Sequence, residues 1–106
     1  CIRDSLWVMS SFMATYVSII KTLKKYLQKN KVGKQDADKY LNTFLTGMLF
    51  EMNNQNFDLD KSVKLLQTKG GINEELLKRL EKGKFFKKME NNFNKIYLRL
   101  KKANDK

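Results

Sequence analysis

Proline and histidine are absent from these 106 residues, cysteine occurs once, and glycine five times. With no proline and few glycines, little interrupts a helix, and strand-like alternation of β-branched residues is also scarce, so the chain reads as all-α. A single cysteine, Cys1, cannot close an internal disulfide, and no histidine can join it in a zinc site or a Cys-His nucleophile pair. Metal and triad chemistry are therefore excluded, and no couple of carboxylates is set for general acid-base work. No Gly-x-Gly-x-x-Gly fingerprint is present, so the chain alone is expected to bind no dinucleotide. The first residue is Cys1 rather than Met, and no charged leader with a cleavage site precedes an apolar stretch; a piece of something longer is expected.

What is present suits one domain with one core, at 42% hydrophobic residues and no linker, repeat or low-complexity tract. The most apolar run, Leu6 to Ile20, holds Ser10, Ser11, Thr15 and Ser18. It is shorter than the roughly 20 residues that span a bilayer, so a buried helix is expected there and no membrane partner. The formal net charge of +11 would ordinarily suggest nucleic acid or an acidic membrane surface. Yet Lys21, Lys24, Lys25, Lys29, Lys31 and Lys34 gather at one helix end. Lys82, Lys84, Lys87, Lys88, Lys95, Arg99, Lys101 and Lys102 are scattered over the last third among Glu, Asn and Phe. With no arginine-rich stripe and no aromatics placed for base stacking, nucleic acid is disfavoured as a partner and solvated helix faces are expected.

Five helical segments follow from the spacing of apolar residues. The first spans about Ser5 to Gln28, capped by Ser5, with Phe12, Tyr16, Ile19, Ile20, Leu23 and Leu27 on one face. Its early part is apolar nearly all round, which calls for enclosure by another domain or another copy of the chain. A turn from Lys31 to Lys34, centred on Gly33, leads to a second segment from about Asp36 to Asn53. Its broad apolar face includes Ala37, Leu41, Phe44 and Met48; Gly47 costs roughly 1 kcal/mol relative to Ala and marks either a close helix crossing or an accident. Shorter segments follow from about Asp58 to Gln67 and Asn73 to Lys82, the latter stopped by Gly83. The last begins near Lys84 and carries Phe86, Met89, Phe93, Ile96 and Leu100 at spacings of three or four.

The most informative stretch is Thr68-Lys69-Gly70-Gly71-Ile72-Asn73, where a glycine pair passes straight into an amphipathic helix with Asn73 at a capping position and Glu74 and Glu75 in its first turn. A helix start leaves main-chain N–H groups without intrahelical partners, so a carboxylate or phosphate can be held there by amides and helix dipole together. The plainer alternative is a helix-turn-helix connection whose amides are satisfied by Asn73 and water.

The order of these pieces resembles the C-terminal dimerisation domain of pyrroline-5-carboxylate reductase, over nearly the whole chain. That family carries a Ser-Pro-Gly-Gly-Thr-Thr loop, a helix, and then a Leu-Glu-x-Gly-Gly-Phe turn into the final helix. Thr68 to Asn73 stands in place of the loop, and Leu80-Glu81-Lys82-Gly83-Lys84-Phe85 in place of the turn. A third family segment, Ser-Gly-Ser-Gly-Pro-Ala-Tyr, corresponds to Ser10-Ser11-Phe12-Met13-Ala14-Thr15-Tyr16, which keeps the first Ser and the Tyr and loses both glycines and the proline.

The resemblance implies a five-helix, intertwined homodimerisation domain of a cytoplasmic NAD(P)-dependent oxidoreductase of proline biosynthesis. The nicotinamide would be bound by a separate domain, and this chain alone would be inactive. It further implies that Gly70, Gly71, Ile72 and Asn73 form a cradle for a small carboxylate-bearing substrate. Lys69 adds positive charge beside that cradle or is simply a solvated loop lysine. Ser10, Ser11 and Tyr16 would wall the pocket, unless their hydroxyls serve only the helix backbone. The rival reading is a basic all-helical adaptor for nucleic acid or a protein partner, working through its lysine-rich ends.

Overall fold

The computed structural model describes residues 2–104, and Cys1 lies outside them. Among the described residues the chain is all-helical, with α1 at Ile2–Ser10, α2 at Met13–Lys29, α3 at Lys34–Asn54, α4 at Leu59–Leu66, α5 at Ile72–Lys82 and α6 at Phe85–Asn104. The all-α reading and the order of segments hold. The first segment differs, because it begins at Ile2 and breaks in two. Ser5 therefore lies inside α1 and does not cap it.

The break falls at Ser11 and Phe12, whose amides reach back three residues, to the Val8 and Met9 carbonyls, at 3.0 Å each. The Ser11 hydroxyl donates to the same Val8 carbonyl. This tightened turn gives way to α-helical bonding when the Tyr16 amide bonds the Phe12 carbonyl at 2.8 Å. Counted as one broken stretch, Ile2–Lys29 leaves five helices. That stretch is long and apolar enough to cross a membrane by length and composition, properties shared with core helices of soluble proteins and with signal sequences.

Helix ends show why the turns fall where they do. After α2, Lys31 adopts φ 70° and the Val32 amide bonds the Leu27 carbonyl at 3.0 Å; after α3, Asn56 adopts φ 56° and the Phe57 amide bonds the Met52 carbonyl at 2.9 Å. Both are left-handed closures that satisfy the last carbonyls of a helix. The expected turn glycines serve otherwise. Gly33 is the extended N-cap residue of α3, and at the end of α5 the positive φ belongs to Lys84 rather than Gly83. Asp58 caps α4 by accepting from the Lys61 amide at 3.2 Å.

Packing divides the chain into two units. One comprises residues up to Ser18 together with Glu75 onward; the other is Ile19–Glu74. In the first, α1 packs on α6, Val8 and Asp4 are buried, and the Phe12 and Phe93 rings meet edge-on at 6.2 Å. In the second, Ala37 and Leu41 are buried and a Lys24–Asp38 ion pair at 2.6 Å ties α2 to α3. Of the broad face expected on α3, Tyr40 and Phe44 are exposed and stack on one another at 5.7 Å. Gly47 has open space around it, so within this chain it marks no helix crossing.

Val8, Ala37 and Leu41 are the buried apolar residues among those described. Within this chain most of the stretch Leu6 to Ile20 is left uncovered: Leu6, Trp7, Met13, Tyr16 and Val17 are all exposed. Helices amphipathic by sequence do form, but much of their apolar surface meets no other part of the chain.

Candidate functional site

The glycine pair lies in the four-residue gap between Gln67, the C-cap of α4, and Ile72, the first residue of α5. Gly70 sits at φ 76°, a left-handed conformation that costs a side-chain-bearing residue free energy and glycine very little. Gly71 is needed for a different reason. A Cβ there would come within 2.9 Å of the Thr68 carbonyl oxygen, closer than real Cβ contacts allow, so the turn can close only on a residue without one.

Closing that turn uses two of the four amides expected to form the cradle. The Gly71 N–H donates to the Thr68 carbonyl at 2.7 Å, and the Gly70 N–H points to the Glu74 carboxylate at 3.4 Å. Glu74 reaches back from the first turn of α5 in the manner of a capping box. Asn73 is the second residue of α5, so it does not occupy the cap position expected for it. The amides of Ile72 and Asn73 belong to the first turn of α5, where the helix itself offers them no acceptor. Ile72 is almost fully exposed, at 86%, and Lys69 and Asn73 are exposed beside it. The loop therefore brings Lys69 to Asn73 together at an open helix start, with two of its N–H groups engaged by the protein's own oxygens.

The second group of candidates lies at the α1–α2 break. Ser10 is exposed, the Ser11 hydroxyl is taken up by the Val8 carbonyl, and the Tyr16 ring sits 6.1 Å from that of Phe12. Ser11 thus has a backbone duty that accounts for it, and Phe12 links Tyr16 to Phe93 in an aromatic row. The break itself went unread in the sequence, although two adjacent serines at the head of a hydroxyl-rich helix were a signal for it.

A further hollow escaped the sequence reading. Met48, Met52, Leu65 and Leu66, together with Glu51, Gln55 and Ser62, line an open, mostly apolar depression of about 110 Å³ between α3 and α4. Residues nearly a turn apart on two helices make it, so only their packing could reveal it. Among the described residues no group of His, Cys, Asp and Glu could hold a metal ion.

No protein-family model, curated protein or solved structure matches the chain.

Proposed function

We propose that this chain is the helical substrate-side and dimerisation domain of an NAD(P)-dependent oxidoreductase similar to pyrroline-5-carboxylate reductase, working in the cytoplasm as a homodimer. The observation that carries the reading is the bare apolar surface that each helix presents. Exposed large apolar side chains occur on every helix, among them Trp7, Tyr26, Phe50, Leu65, Ile72 and Leu98. A second copy laid against such faces would be held mainly by the hydrophobic effect.

The loop supports the substrate-side part of the reading. A small carboxylate would take the Ile72 and Asn73 amides, with the Asn73 side-chain amide and the Lys69 ammonium alongside, and would displace Glu74 to gain the Gly70 N–H as well. In this reading the dinucleotide is held elsewhere, since the sequence carries no glycine fingerprint for it. That group, carried on another domain, would supply the hydride for reduction of a cyclic C=N bond.

Two measurements on the chain test this. Sedimentation equilibrium between 0.1 and 1 M NaCl should give a dimer whose affinity does not fall with salt; a monomer, or a complex that dissolves as salt rises, would favour the basic adaptor. Titration with L-proline, followed by amide NMR shifts, should move Ile72 and Asn73 first, and Gly71→Ala should abolish the response. Shifts scattered elsewhere would remove the cradle, and reduction of a cyclic imine by the chain alone would contradict its role as a domain.

A further inference from the structure

The sequence suggested cations scattered over the last third, but the fold orders them. Helix α6 is one uninterrupted element of 20 residues, Phe85–Asn104. At about 100° per residue, Lys88, Lys95, Arg99 and Lys102 fall within a strip roughly 60° wide and about 21 Å long. All four are exposed, and no carboxylate among the described residues holds any of them. Glu90, the one acidic residue of α6, lies on the other side of the helix by the same geometry.

The apolar face of α6, about 120° round the helix from the strip, is turned to its own chain: α6 packs on α1, Phe93 meets Phe12, and Phe93, Ile96 and Leu100 are part-buried. The helix therefore cannot lay that face into a bilayer while the unit is folded, and its basic strip can act through charge alone. We propose that this strip docks a nucleic-acid duplex by its backbone phosphates, independently of the oxidoreductase reading. A straight row of point charges on a chain of net charge +11 complements a straight polyanion. Duplex DNA carries one negative charge per about 1.7 Å of axis, so such a row meets phosphates without needing a matched pattern of acids. Three of the four cations are lysines, which contact phosphate as point charges, and nothing in the strip reads bases. Binding should be independent of base sequence.

The test is fluorescence anisotropy of a labelled 20-base-pair duplex with the full chain between 50 and 200 mM NaCl. Four phosphate contacts predict a slope of log affinity against log salt of about −3.6. Lys95→Glu with Arg99→Glu should weaken binding at least tenfold at the low-salt end, and Lys95→Gln with Arg99→Gln should roughly halve the slope. The control pair Lys61→Glu with Lys64→Glu, on α4, makes the same change in net charge and should alter affinity less than threefold. Far-UV circular dichroism checks that each variant stays helical, and the glutamine pair serves if the glutamate pair unfolds. The proposal is overturned if the duplex is not bound, if the α4 pair costs as much as the α6 pair, or if phosphatidylserine vesicles or an acidic protein bind in preference to the duplex. None of these outcomes bears on dimerisation or on the amide response to L-proline.

Discussion

The two packing units reach similar helical content by opposite routes. Residues 19–74 form one continuous piece, in which α2 meets α3 across a short left-handed turn and Ala37, Leu41 and the Lys24–Asp38 pair are all close in sequence. The other unit exists only because chain regions some eighty residues apart come together, Val8 and Phe12 from the beginning with Phe93 from the end. Closing so long a loop costs more entropy than closing a hairpin, so its contacts must be apolar and well matched. The difference shows that adjacency in sequence made one unit legible in advance and left the other to be found in the fold.

The largest expected effect separates the units directly. Leu41→Ala removes the larger of the two buried side chains in residues 19–74 and should cost about 2–5 kcal/mol. Val8→Ala should cost about 2 kcal/mol in the other unit. Trp7 is the one tryptophan and belongs to the Val8 unit, so its fluorescence reports that unit, whereas far-UV circular dichroism reports all helices. In urea, Val8→Ala should shift the Trp7 midpoint most, and Leu41→Ala should shift the circular dichroism midpoint more than the Trp7 midpoint. Coincident shifts in both variants would mean that the units unfold as one.

A smaller effect probes what covers the continuous unit. Gly47 stands inside α3 with open space at its Cβ position, so Gly47→Ala should stabilise the isolated chain by roughly 0.5–1 kcal/mol through helix propensity. If a helix of a second copy crosses at Gly47, the same substitution should instead weaken the dimer, read by sedimentation. That pair of outcomes turns the ambiguity of a mid-helix glycine into a map of the interface.

The smallest effect concerns the tie between α2 and α3. The Lys24 ammonium, through its hydrogen bond and its charge, holds the Asp38 carboxyl below its ordinary value of 3.8. A carboxyl depressed by folding stabilises the folded form above the unfolded-state value, and that contribution is lost as pH falls below about 3.8 through the folded-state value. Asp38→Asn should therefore lower the urea midpoint slightly at pH 7, make no difference near pH 2, and lose its effect in high salt. An undiminished difference at pH 2 would assign the effect to packing and not to the ion pair.

Helix positions were readable because apolar residues at spacings of three and four, unbroken by proline, leave the backbone few alternatives. The Gly70–Gly71 turn was readable too, and the positive φ at Gly70 gives its physical reason. The partners of its amides were not. That the Gly70 amide faces Glu74 and the Gly71 amide faces Thr68 is visible only in the folded loop. The α1–α2 break was similarly hidden, since a tightened turn at Ser11 and Phe12 leaves the apolar period almost intact.

Composition and periodicity by themselves settled that this protein is all-α, that its segments run in this order, and that a glycine pair leads into the helix that ends at Lys82. All three are consequences of local sterics and hydrogen bonding, which act within a few residues. Only the tertiary structure decided which apolar faces meet and that α1 lies on α6. Burial and long-range pairing depend on which surfaces arrive at the same place, and that information is spread over the whole chain.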